Sequence, residues 1–220
     1  MSARRLITVF LFLTSSPALA GIVTYTSSSA FNTAIGSPGV AEDYATFTAG
    51  TLINPGSTFN GITYTSFNLG ALGTQGFISN QFNSFTGVSL GANQNNGAAE
   101  FFFDGNSFDI TFAPTLAIGV FFNVNLNSGT FGITTSAGTV TNNGSTYDTS
   151  TFVFAGLVSD TPFTSAHIFS DSRGNGTASF NIPEIILGQN AQASPEPGSI
   201  ALTALGAGLL TAFARRRKLV

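Results

Sequence analysis

From about residue 58 to residue 188, apolar residues fall in short runs or alternate with Thr, Ser and Asn, with turn residues between the runs. A period of two marks a strand with one buried face. Gly61-Ile62-Thr63-Tyr64-Thr65, Phe108-Asp109-Ile110-Thr111-Phe112 and Thr130-Phe131-Gly132-Ile133-Thr134 predict such strands, as do Thr151-Phe152-Val153-Phe154-Ala155 and His167-Ile168-Phe169. Residues 116–124 are nearly continuous apolar, which predicts a buried central strand, and Pro114 before it predicts a bend or an edge. Asn60-Gly61, Asp104-Gly105, Asn143-Gly144 and Gly174-Asn175-Gly176 read as turns. One helix is predicted ahead of this region: Ser27 or Ser28 caps it, Phe31, Ala34 and Ile35 share one face, and Gly36 with Pro38 ends it. Strand follows strand with no helices between and no repeat of 20–50 residues. The expected fold is all-β, an antiparallel β-sandwich with one short N-terminal helix.

The two ends break this pattern. At the start, Arg4 and Arg5 precede a short apolar run from Leu6 to Leu13, Pro17 interrupts it, and Ala18-Leu19-Ala20 has small residues at the first and third positions. That order predicts a secretory signal peptide over residues 1–20, cleaved by signal peptidase after Ala20. The apolar run is too short to span a bilayer, which takes about 20 residues. At the other end, Ser194-Pro195-Glu196-Pro197-Gly198 is stiff and extended, because two prolines fix φ and exclude helix. Residues 199–214 carry no charge. As a helix they would be about 24 Å long, slightly short of a hydrocarbon core of about 30 Å. Arg215, Arg216, Arg217 and Lys218 follow, and snorkelling cations cover such a deficit while holding that end on the cytoplasmic side. The expected organisation is therefore a signal peptide (1–20), a β-sandwich body (21–193) and a tail (194–220) with a transmembrane helix, leaving the body outside the membrane.

Pro195-Glu196-Pro197, then the apolar helix, then the basic cluster Arg215 to Lys218 together resemble the PEP-CTERM sorting signal of exported bacterial proteins. The resemblance covers about the last 27 residues. It implies recognition by a membrane-embedded exosortase that processes the tail near the motif, in bacteria that make exopolysaccharide and biofilm. The body is similar to a jelly-roll sandwich found ahead of such tails. Phe31 to Gly36 with Glu42-Asp43-Tyr44, residues 108–122, residues 154–165, and a closing strand at 182–188 carry that likeness. It implies an ion site formed by Glu42 or Asp43 against Glu184. Relatives often have Asp-Asn in the last strand where this chain has Pro183-Glu184.

Composition then removes whole classes of function. The chain has 220 residues, enough for one domain with appendages, and no Cys, no Trp and a single His. Thiol catalysis, disulfides and Cys-based zinc sites are excluded. Twenty-three Phe supply a core that a chain with only 8% charged residues would otherwise lack. Between residues 21 and 193 there are one base, Arg173, and nine acids, a net charge of −8. Nucleic acid is excluded as a partner of this body, and so is electrostatic attraction to anionic lipid.

Candidate chemistry is sparse. Gly87-Val88-Ser89-Leu90-Gly91 has nucleophile-elbow spacing, with His167 and Asp148 or Asp160 downstream, but its flanks lack the strand-to-helix turn that a serine hydrolase needs. His167, beside Ile168 and Phe169, reads as a hydrogen-bonded strand residue. Glu42, Asp43, Glu100, Asp104 and Asp109 are the carboxylates available to a glycosidase, which needs two flanking one bond. Tyr25, Tyr44, Tyr64 and Tyr147 would stand in for Trp as sugar platforms. Asn143-Gly144-Ser145 and Asn175-Gly176-Thr177 match glycosylation sequons but read as hairpin turns. No cofactor is required. If the acids hold a ligand, structural calcium is the one that suits them best, in the loops at 104–109 or 171–176 or at the site implied by the resemblance.

The expectation is an exported, non-enzymatic cell-surface or matrix protein, sorted through its tail and exposed to extracellular polysaccharide. The alternatives are a carbohydrate-binding module on the same scaffold and, more remotely, a secreted hydrolase.

Overall fold

Two long strands that bend together organise the body. The computed structural model describes residues 21–36, 39–70, 73–81, 84–93, 100–126, 129–144, 152–171 and 179–188. The expected signal peptide and the tail lie outside them. In chain order the elements are β1 (Ile22–Tyr25), α1 (Ser28–Ile35), β2 (Val40–Glu42), β3 (Leu52–Ile53), β4 (Thr58–Phe59), β5 (Ile62–Asn68), β6 (Gly76–Ser79), β7 (Ser89–Ala92), β8 (Phe102–Phe103), β9 (Ser107–Leu126), β10 (Gly129–Thr135), β11 (Thr139–Gly144), β12 (Phe152–Asp171) and β13 (Ser179–Gly188). Every pairing among them is antiparallel.

β9 and β12 pair along both halves of their length, and the register shifts between Val158 and Ser165, opposite residues 111–117. Pro114 and Pro162 both fall in this stretch. Neither can donate to a ladder, so the pair breaks there and turns the corner from one layer to the other. Residues 107–112 of β9 lie between β5 and the later half of β12, and β10 and β11 extend that layer. Residues 117–126 of β9 lie between the earlier half of β12 and β13, with β1 on the far side of β12. Along the outer edge of β13, the short strands β2, β7 and β8 take successive positions, and β6 and β3 follow β7.

The core between the layers is built from alternate residues. Phe108, Ile110 and Phe112 face Ile118, Val120, Phe122 and Val124 across the corner, and all are buried. Phe180 sits among the rings of Phe102, Phe122 and Phe131, with centroids 5.1–6.0 Å away. α1 lies on the outer face of the second layer. Ser27 caps it by accepting from Ala30 N–H, and Gly36 ends it at φ 75°. Its anchor, Phe31, lies over Gly119 and Gly156, which are directly opposite each other in the ladder. A Cβ on Gly156 would sit 2.7 Å from the Phe31 ring, so this close approach requires glycine.

The Asn60-Gly61 turn forms as expected. Both residues have positive φ (47° and 79°), and Phe59 pairs with Ile62 across a two-residue hairpin. Gly105, at φ 72°, turns β8 into β9. Asn143-Gly144 does not turn. Both residues lie in β11, paired with Thr130 and Gly129. Glycine is needed at 144 for closeness, since a Cβ there would stand 2.7 Å from the Phe131 ring. Gly174-Asn175-Gly176 lies outside the described residues.

Candidate functional site

Two of the acids implicated by the sandwich likeness, Glu42 and Glu184, occupy opposite sides of one layer. β2 pairs with β13 so that Glu42 is opposite Ile185, whose side chain faces the core. Glu42 is fully buried. Its Oε1 accepts from the Tyr44 N–H at 2.9 Å and its Oε2 from the Asn60 amide at 2.8 Å. Tyr44 in turn holds the Tyr64 hydroxyl at 3.1 Å. Tyr44 is a buried aromatic residue at φ 61°, a conformation that costs on the order of 1–3 kcal/mol and persists only when its surroundings impose it. The Glu42 carboxylate and the Tyr64 hydroxyl supply that imposition. Burial pushes the Glu42 carboxyl above the ordinary carboxylate range, against the opposing pull of the Tyr44 and Asn60 donors. Burial also raises both tyrosine hydroxyls.

Glu184 is the next residue along β13 and is opposite Phe121 instead. It is half-buried, and burial together with the charge of Asp43 raises its pKa. Both oxygens of Glu42 are engaged inside while Glu184 faces out, so these two do not converge; Asp43 is near enough to Glu184 for its charge to act on it, but the three acids do not form the expected calcium set. Among the described residues, no three Asp, Glu or His side chains gather closely enough to hold a metal ion. Glu42 works instead as an internal anchor for the Tyr44 bend, a role that its type and spacing did not signal.

His167 belongs to a polar row across the outer face of the first layer. Ser66 on β5, Asp109 on β9 and His167 on β12 are neighbours in register. Ser66 Oγ donates to Asp109 Oδ2 at 2.5 Å, and His167 Nδ1 lies 2.7 Å from Asp109 Oδ1. Burial acts to raise the Asp109 pKa, but the hydrogen bonds from Ser66 and His167 and the attraction of His167 outweigh it and hold the carboxyl below its usual range. Ser89 is far from this chemistry in the fold. It is fully buried in β7, on the neighbouring layer, with no hydrogen-bond partner for its hydroxyl among the described residues. Gly87 to Gly91 therefore forms a strand entry, not an elbow, because Leu90 and Ala92 bury into the core and draw the segment into the sheet.

Of the tyrosines expected as sugar platforms, Tyr44 and Tyr64 fill the core, Tyr25 packs edge-on to Phe31 at 5.9 Å, and Tyr147 lies outside the described residues. The outer face of the second layer carries a band of phenylalanines instead. Phe31, Phe154, Phe121, Phe85 and Phe152 follow one another with centroid separations of 4.5–5.3 Å. The band starts buried at Phe31 of α1 and reaches the surface at Phe85, which is 50% exposed. Thr86 ties the Phe85 loop down by donating to the Asp43 carbonyl at 2.7 Å.

Pro195, Glu196, Pro197, the basic cluster at 215–218, and Ala18 and Ala20 lie outside the described residues. Among those described, no helix is long and apolar enough to cross a membrane. No curated protein matches the chain. An isomalto-dextranase of Arthrobacter globiformis T6, solved with panose, aligns with 78% of this chain at 12% identity and a TM-score of 0.32. The chain spans about a third (33%) of that enzyme's length. The motif that the sequence resembled is found directly: residues 195–218 match the PEP-CTERM protein-sorting motif, the mark of an exported protein anchored at its C-terminus and processed by an exosortase-type membrane enzyme.

Proposed function

We propose that the chain is a non-enzymatic cell-surface or extracellular-matrix protein whose tail sorts a β-sandwich into the exopolysaccharide of a biofilm. The match at residues 195–218 carries this reading. The helix parks the chain in the bilayer, the rigid Pro-Glu-Pro presents an extended strand at the outer face, and the basic cluster stops transfer. The body fits such a location, because it has no thiols, few charges and strands in which apolar residues alternate with Thr, Ser and Asn. Replacing Pro195, Glu196 and Pro197 by alanine is expected to leave the tail uncut in a host that makes an exosortase. Wild-type chain loses it there and keeps it in a host without the enzyme. Equal processing of the variant would remove the motif from the account.

Cleavage by signal peptidase after Ala20 belongs to the same proposal, and it gives Gly21 a chemical role. Gly21 N stands 2.6 Å from Asp160 Oδ2. In the processed protein that nitrogen is an ammonium, paired with a carboxylate at the sheet edge. Its pKa is expected above the ordinary α-amino value of about 7.7–8.0, and Asp160→Asn is expected to return it there. The pH dependence of α-amine labelling measures both.

A second reading, a carbohydrate-binding module, draws on the exposed end of the phenylalanine band. Phe85 and Phe121 offer apolar ring surface beside the outward-facing carboxylate of Glu184, an acceptor for hydroxyl groups. Titration of neutral and acidic glycans against wild type and Phe85→Ala tests it. Binding that disappears in the variant supports a specific site, and no binding by wild type removes one.

A further inference from the structure

Both ends of the described body leave the sandwich at the same place. Gly21 sits beside Asp160, and Ile22 is opposite Ser159, where β12 enters the corner. Gly188 ends β13 opposite Ala117, where β9 leaves the corner, and its carbonyl accepts from the Thr115 hydroxyl in the bend itself. β1, β12, β9 and β13 are consecutive neighbours, so three inter-strand steps, about 14 Å, separate the two exits. From Gly188 to Pro195 there are seven residue steps, and these span at most about 25 Å even when fully extended. A sandwich tied so closely to a membrane-spanning tail has little freedom to turn away.

Charge selects the same end. Among the described acids, only Asp160 lies at the corner, and it faces the Gly21 nitrogen. Asp171 pairs with Thr130 at the opposite end, and Asp104 sits in the β8–β9 turn there. Asp109 begins the third residue of β9, and Glu184 lies part-way along β13. Apart from Asp160, the exposed corner residues are Ala113, Pro114, Thr161, Pro162, Thr164 and Ser165, all uncharged. Turning this end towards anionic headgroups costs no like-charge repulsion, whereas turning the other end towards them would.

We infer that the sandwich stands end-on to the bilayer, with the Pro114–Pro162 corner as its membrane-facing surface and the acidic end directed outwards. This rests on the reading that residues 199–214 span the membrane. It places the cleavage points of both leader and tail at one surface, so a precursor held at both ends folds without either being released. The opposite end lies about 30 Å further out, the length of residues 117–126 as a strand.

The chain has no cysteine, so single reporters are clean. Ala113→Cys at the corner, and Asn143→Cys and Asp171→Cys at the opposite end, are each placed in the full chain and labelled with a fluorophore. The proteins are reconstituted into phosphatidylethanolamine–phosphatidylglycerol vesicles containing headgroup spin-labelled lipid. The corner reporter is expected to be quenched severalfold more than both distal ones. Equal quenching, or stronger quenching at 143 and 171, in protein that sediments with the vesicles overturns the orientation alone. Failure to sediment with the vesicles overturns the membrane-spanning reading and the orientation with it.

Discussion

Phe180→Ala is expected to destabilise the body by about 3–5 kcal/mol, the usual cost of deleting a buried aromatic side chain and leaving a cavity. Phe180 is fully buried and touches rings contributed by β8, β9 and β10 at once, so collapse around the gap would have to move three strands. For a body of this size the melting temperature would fall by on the order of 10 °C. The contrast is Phe85→Ala, which removes an equally large ring that is 50% exposed and is expected to cost under about 1 kcal/mol. Thermal unfolding of the two variants, followed by near-ultraviolet circular dichroism, measures the difference. Equal losses would mean that the rings between the layers do not form the core.

The second large effect is on pH dependence. Burial raises the folded-state pKa of Glu42, so the proton favours the folded state. The stability it contributes is fully present below the unfolded carboxylate pKa, about 4.3, and is lost as pH rises through the raised folded value. Glu184 acts in the same sense. Asp109 acts in the opposite sense: its pKa is lowered, so its contribution is present above the unfolded value of about 3.9 and is lost as pH falls through the folded one. The two trends meet near pH 4, where stability is expected to peak. Glu42→Gln keeps an acceptor for the Tyr44 N–H and cannot ionise. It is expected to raise the melting temperature at pH 7 and flatten the loss between about pH 4 and 7, leaving the slope due to Glu184. Glu42→Ala removes the acceptor as well, so Tyr44 loses the contact that holds its positive φ, and this variant is expected to be less stable than wild type at every pH. A stability profile for Glu42→Gln that parallels wild type would show that Glu42 is not the titrating group.

Local signals were legible and long-range ones were not. Asn60-Gly61 specifies its hairpin through two positive φ angles that these residue types tolerate, so the sequence alone suffices. Ser27 and Gly36 bound the helix for equally local reasons. The runs at 108–112 and 116–124 predict two strands, yet they form one, because continuity across Pro114 depends on β12 bending beside it at Pro162. Asn143-Gly144 carries a turn signal, but the nearby Phe131 ring needs the space that glycine leaves. Glu42 reads as a surface acid or an ion ligand, and its burial follows from β2 docking on β13, a pairing separated by more than 140 residues. Ser89 reads as a nucleophile by spacing and is drawn into a strand by Leu90 and Ala92. The sorting signal is the reverse case. Its three parts stand in order within one short stretch of sequence, so it is legible without any tertiary contact.

The mass and location of the wild-type protein recovered from cells that make an exosortase test the central claim most directly. The account predicts a product found outside the cytoplasm, beginning at Gly21 and lacking the residues beyond the Pro195–Pro197 motif. An intact 220-residue chain in the cytosolic fraction would contradict it.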